Sequence, residues 1–160
     1  MAYEYSAHEI TQMAMDVEEA SSEFYQGLAD LSEEKLFKDV FRELSRQEAG
    51  HQREFKEMAK DLADLEARHA YAIDIYNIMK RTTVELKRQR PPRSAVARAG
   101  FIKAALDLAV SAEKGASEVY QLMRDAFGSP YRKLLSAIIK VEKTHLKKVL
   151  GLKKKLVQAK

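Results

Sequence analysis

Six residues in this chain carry metal-ligand chemistry at a repeated spacing. Glu18 is followed seven residues later by Tyr25, and then by Glu48-Ala49-Gly50-His51. Glu113 is followed seven residues later by Tyr120, and then by Glu142-Lys143-Thr144-His145. Glu18 to Glu48 is 30 residues and Glu113 to Glu142 is 29, so the second copy starts 95 residues after the first. Glu and His three apart on a helix share a face, one turn apart, and both can reach one ion. A single such pair is close to noise on a solvated helix. Two pairs, each preceded by a Glu at matching distance, form the ligand set of a carboxylate-bridged dinuclear metal site in a four-helix bundle. Glu18 and Glu113 are then terminal ligands, Glu48 and Glu142 bridge, and His51 and His145 each add a nitrogen. Carboxylate oxygen with imidazole nitrogen suits Fe, Mn or Zn better than Cu(I).

These side chains stand on apolar helical stripes. A helical face repeats every three to four residues. Around Glu18 it reads Ala14, Met15, Ser21, Ser22, Tyr25 and Leu28; around Glu48 and His51, Phe37, Phe41, Leu44, Phe55 and Met58. The second copy repeats this with Leu106, Ala109, Val110 and Tyr120 about Glu113, and Leu135, Ile138, Val149 and Leu152 about Glu142 and His145. No Lys or Arg lies among them. An unpaired buried carboxylate costs several kcal/mol even after relaxation, and two divalent ions would supply the missing positive charge. Tyr25 and Tyr120, two turns from their Glu, either fill the core or hydrogen-bond a carboxylate ligand of the opposite half. We favour the second role. His8 and His69 fall outside the repeat and read as surface or structural residues.

The elements that must position these residues are helical. Ser6-Ala7-His8-Glu9 is a capping box, so a first helix starts near Ala7 and runs to about Leu31. Ser32 is expected to cap a second, reaching about Leu62. A third stretch spans about Leu65 to Lys87 and stops at the basic, Pro-containing segment through Pro91-Pro92. Ser94 caps a fourth, to about Phe127. After Gly128, Pro130 is expected at the first position of a fifth, to about Leu156. The reading is one domain over 1–160: hairpin 7–62, a crossover over 63–95, and hairpin 96–158. The two αα-hairpins with one long helical crossover make an all-α, ferritin-like four-helix bundle.

Composition narrows the rest. No run approaches the 18 apolar residues of a membrane span, and no basic-then-apolar start marks a secretory signal. With no Cys there are no disulfides and no thiolate metal sites, which fits a cytoplasmic protein. Residues 1–66 carry 17 acidic and 7 basic side chains, whereas 67–160 carry 7 and 21. A basic half can attract nucleic acid or membrane, but no nucleic-acid motif is present, and the halves read better as complementary faces meeting within or between chains. We expect neither a nucleic-acid nor a membrane partner. The apolar side of the crossover at Leu65, His69, Ala72, Ile73, Tyr76 and Met79 points to a homodimer, swapped or unswapped, with the unswapped bundle favoured.

Taken together, Met15-Asp16-Val17-Glu18-Glu19-Ala20-Ser21-Ser22-Glu23-Phe24-Tyr25, Gln47-Glu48-Ala49-Gly50-His51, Ala112-Glu113-Lys114-Gly115 leading to Tyr120, and Val141-Glu142-Lys143-Thr144-His145 resemble the rubrerythrin family of the ferritin-like superfamily. The resemblance covers both hairpins. It implies Glu18, Glu48, His51, Glu113, Glu142 and His145 as ligands of two Fe ions, with Tyr25 and Tyr120 around them. Two departures stand out. The family's usual rubredoxin-like domain needs four cysteines, and here the reductant must come from an external electron-donor protein. The family's extra Glu three residues after the third-helix ligand is Ala116 here, leaving one iron with one carboxylate fewer. The expected function is an oxidoreductase that reduces hydrogen peroxide or dioxygen. The alternatives are a ferroxidase or iron-storage type of protein without peroxidase turnover, and a structural bundle holding a redox-inert metal.

Overall fold

The computed structural model describes residues 5–62, 68–69, 72–89, 95–127, 129 and 131–158. Among these residues five helices follow in order: α1 (Ala7–Leu31), α2 (Lys35–Leu62), α3 (Ala72–Lys87), α4 (Ala95–Phe127) and α5 (Arg132–Gln158). α1 packs along α2 and α4 along α5, giving the two expected hairpins, and α2 meets α5 and α1 meets α4 to close one bundle within a single chain. α3 lies outside it, against α1 and α4. Its inward residues Ile75, Met79, Thr82 and Leu86 are buried, at the three- and four-residue steps of one helical face.

Local signals explain most boundaries. Ser6 is extended (φ −71°, ψ 158°) and caps α1. The Glu9 N–H donates to its hydroxyl at 3.2 Å, while the Ser6 N–H donates to Glu9 Oε2 at 2.7 Å. Small residues bring α1 and α2 together, since the Ser22 and Ser45 hydroxyls each donate to the other's carbonyl at 2.9 Å.

Two expectations need correction. Ser32 does not open α2. Its hydroxyl and N–H both donate to the carbonyl of Leu28, at 2.7 and 3.0 Å, so it closes α1, and α2 begins at Lys35. A serine hydroxyl beside the last turn satisfies an orphan carbonyl as readily as it caps a new helix. The crossover helix does not start at Leu65. Arg68–His69 is extended and pairs antiparallel with Tyr5–Ser6 (Tyr5 with His69, Ser6 with Arg68), leaving α3 with 16 residues, about 24 Å where an unbroken helix over 65–87 would measure about 35 Å. α5 starts at Arg132, with the Tyr131 carbonyl accepting its first bond from Leu135 at 2.9 Å. The expected roles of Pro91, Pro92, Ser94, Gly128 and Pro130 fall outside the described residues.

The core has two apolar clusters. One gathers Ile10, Ala14 and Val17 of α1 with Phe55 and Met58 of α2, Val119 and Met123 of α4, and Leu135 and Ile138 of α5. The other gathers Phe24 and Leu28, Phe37, Phe41 and Leu44, Leu106 and Ala109, and Val149 and Leu152. On every bundle helix the acids and histidines of the repeat stand between the clusters, joined by the buried hydroxyls of Ser45 on α2 and Ser117 on α4. They form a polar slab across the middle of the bundle.

Candidate metal centre

Glu18, Glu48, His51, Glu113, Glu142 and His145 are all buried, none more than 6% exposed. Their ligand atoms form two overlapping groups: Glu18, Glu48, His51 and Glu142, and Glu48, Glu113, Glu142 and His145. Glu48 and Glu142 belong to both. His51 Nδ1 faces Glu142 Oε1 at 2.7 Å, Glu48 Oε2 at 3.3 Å and Glu18 Oε2 at 3.7 Å. His145 Nδ1 faces Glu48 Oε1 at 3.1 Å, Glu142 Oε2 at 3.4 Å and Glu113 Oε2 at 3.6 Å. Each shared carboxylate thus offers one oxygen to each half, the placement a bridging ligand requires. The imidazole rings stack 5.6 Å apart at 26°.

The donor set fits cations. Ligands about 2.1 Å from one ion lie about 2.9–3.5 Å from each other, close to the separations seen. Among the described residues, Glu48 Oε2, His51 Nδ1, Glu142 Oε1 and His145 Nδ1 are buried without a hydrogen bond. His51 Nδ1 is 2.7 Å from Glu142 Oε1 and 3.3 Å from Glu48 Oε2, yet none of the four makes a hydrogen bond. Buried polar atoms are almost always hydrogen-bonded, and four exceptions converging on two points have an account if an ion accepts their lone pairs.

Without ions, the cluster holds protons in their place. Burial, then the charges of Glu48 and Glu142, push the Glu18 carboxyl well above its ordinary range. Burial and the Glu48 charge do the same to Glu113. Burial works against the charged form of Glu48, yet the facing His145 and His51 rings pull it down to about 2. Burial likewise opposes a charged His145, but the carboxylates of Glu113, Glu142 and Glu48 hold it up to about 12, and His51 is raised in the same way.

Tyr25 donates its hydroxyl to Glu113 Oε1, and Tyr120 donates to Glu18 Oε1. Each tyrosine therefore reaches the terminal carboxylate of the other half. Burial, then the charges of Glu113 and Glu18 respectively, push both phenols well above their ordinary range, so they remain donors. Phe41 stacks on Tyr25 with centroids 6.2 Å apart, and Phe55 tilts against Tyr120 at 5.0 Å. Ala116 is partly buried against the first cluster and lines a cavity of about 10 Å³ with Val17, Ile78, Met79, Thr82 and Tyr120.

His8 stays out of the site, and of His69 the structure describes the backbone. His8 is exposed, with Nδ1 3.0 Å from the Ala59 carbonyl, and His69 pairs in the short ladder. Three residues near the site escaped the sequence reading. His145 Nε2 lies 3.0 Å from Gln47 Oε1, which Lys148 Nζ approaches at 3.4 Å while donating to Glu43 Oε1 at 2.8 Å. The available signals were Gln47 directly before Glu48, and Lys148 one turn after His145.

Comparison with known proteins bears on the family and on the fold. The rubrerythrin family model matches residues 9–153. A crystal structure from Thermotoga maritima, described as a ferritin-like diiron-carboxylate protein, superposes with a TM-score of 0.66 at 24% identity, over 96% of this chain and 98% of that one. At that identity the likeness speaks for the fold. Comparison with curated proteins finds no match.

Proposed function

Because this chain belongs to the rubrerythrin family and carries a buried carboxylate–imidazole metal site, we propose that it is a di-iron oxidoreductase. It would reduce hydrogen peroxide or dioxygen with electrons from an external donor protein. The observation that carries the reading is the pair of donor groups sharing Glu48 and Glu142. Two iron ions bound there would supply two-electron redox chemistry and Lewis acidity toward an O–O bond. Mn or Zn would fit the same donors. The chain's own residues do the rest. Four carboxylates offset most of the positive charge. The Tyr25 and Tyr120 hydroxyls fix one oxygen of Glu113 and of Glu18, directing the other inward. The apolar clusters on either side limit water, which strengthens every charge interaction in the slab.

The test is stopped-flow mixing of the anaerobic ferrous-loaded protein with peroxide. Oxidation far faster than that of free ferrous ion, at two irons per chain, is the expected result. Oxidation at the rate of free ferrous ion overturns the reading. Ala116 favours a second reading, since one carboxylate fewer than the family pattern suits single-turnover iron oxidation better than a peroxidase cycle. Supplying a reductant separates the two: repeated peroxide consumption belongs to the first, one oxidation per iron load to the second. Metal analysis returning zinc alone would leave the redox-inert bundle.

A further inference from the structure

The two halves of the site repeat in sequence, but their outer surroundings do not. Lys148 carries an ammonium that can only donate, so the Gln47 atom facing it at 3.4 Å is the amide oxygen. That oxygen can only accept, so the ring nitrogen 3.0 Å from it, Nε2 of His145, carries the proton. An imidazole that ligates an ion is neutral and has one N–H, so with that proton on Nε2 the lone pair His145 would offer an ion is on Nδ1, the atom facing Glu48, Glu142 and Glu113. Lys148 is itself tied to Glu43 at 2.8 Å, so the chain Glu43–Lys148–Gln47–His145 runs from a part-exposed carboxylate to a fully buried ring. On the other half the position before the bridging Glu is Val141, the position four residues earlier is Ala137, and the position three after the ligand His is Glu54. Neither Val141 nor Ala137 has a side-chain polar atom to hold the outer nitrogen of His51, which is also the more exposed ring (6% against 0%).

We propose that Gln47, backed by Lys148 and Glu43, is a positioning residue that fixes His145 in the tautomer with its proton on Nε2, and so makes the His145 half of the centre the tighter of two unequal metal positions. The inference rests on the two-ion reading of the site. Metal-ligating histidines whose other nitrogen has an acceptor hold their ion more tightly, and losing that acceptor typically costs 10- to 100-fold in affinity. Gln47 is half-buried, and the side-chain hydrogen bond it makes to a candidate ligand is the one to His145. Its removal therefore bears on one half.

The experiment titrates the metal-free protein with cobalt(II), following both heat and ligand-field absorption. Wild type is expected to bind in two distinguishable steps. Gln47→Leu is expected to weaken the tighter step by about 10- to 100-fold while leaving the weaker step in place. Gln47→Glu keeps an acceptor for both His145 and Lys148 and is expected to restore the first step. Long-range proton–nitrogen spectra of the zinc-loaded wild type should place the His145 proton on Nε2. If Gln47→Leu does not fold, Gln47→Asn, one methylene too short to reach, replaces it. Two ions bound with the Leu variant unchanged, or with both steps weakened alike, overturns the inference and leaves the metal reading standing. A wild-type chain that takes up no cobalt overturns both.

Discussion

Glu18 and Glu113 keep their protons far above the ordinary 4.5 of a glutamic acid, and a metal ion would have to displace them. The sign follows from each shift. His145 is raised from 6.5 to about 12, so it stabilises the metal-free fold fully below pH 6.5 and loses that contribution as pH rises through about 12. The raised Glu18 and Glu113 act in the same sense, with their contribution present below about 4.5 and lost as pH climbs. Glu48, lowered to about 2, contributes above 4.5 and fails only as pH falls toward 2. Metal binding at neutral pH should therefore release protons, and affinity should rise with pH. Zinc calorimetry in two buffers of different ionisation enthalpy, across the neutral range, measures the protons released. An affinity indifferent to pH would contradict the cluster's protonation. At this scale the sequence showed which residues have ligand chemistry, because spacing along a helix dictates facing. It did not show Gln47. That role depends on His145, 98 residues away, and on a lysine of the same helix, and no local pattern encodes either.

Elements were legible where one signal dominated. The three-to-four-residue repeat and the capping box placed α1 at its observed start, Ala7. Where two uses of one residue compete, the pattern misled: Ser32 had a carbonyl of the preceding helix within reach. The two-residue ladder of Tyr5–Ser6 with Arg68–His69 is too short for any alternation to show. α3 matters most for assembly. Of its expected apolar side, Met79 is buried on the chain's own bundle and Tyr76 is half-buried, while Val84, off that side, is 41% exposed. The side chains at 65, 69, 72 and 73 fall outside the described residues. A homodimer therefore has a stronger argument in charge, with the acidic first hairpin of one chain against the basic second hairpin of another, as Lys148 and Glu43 already pair within one chain. Light scattering is expected to give twice the 18.2 kDa chain mass at low salt, with dissociation as salt screens the contact. A mass of one chain at low salt rejects the dimer.

For the molecule as a whole, a slab of four carboxylates and two imidazoles divides the core into two apolar clusters, and folding must bury it whether or not a cation is present. A site that binds only the folded chain adds about 2.7 kcal/mol at a hundred times its dissociation constant. For a chain of this size that raises Tm by about 5–10 °C per ion. Ferrous or zinc ion should produce such a rise in thermal unfolding of the metal-free protein. Glu142 faces both histidines and belongs to both donor groups, so Glu142→Ala should abolish the rise. In the metal-free protein the same carboxylate faces the His51 and His145 rings, and removing one partner of a buried pair destabilises, so Tm of the metal-free variant is expected to lie below that of the metal-free wild type. The metal response is what discriminates, because loss of a carboxylate kept for packing alone would lower Tm and leave the metal-induced rise intact. A metal-independent Tm in the wild type would show that the slab is held by its own protons rather than by ions.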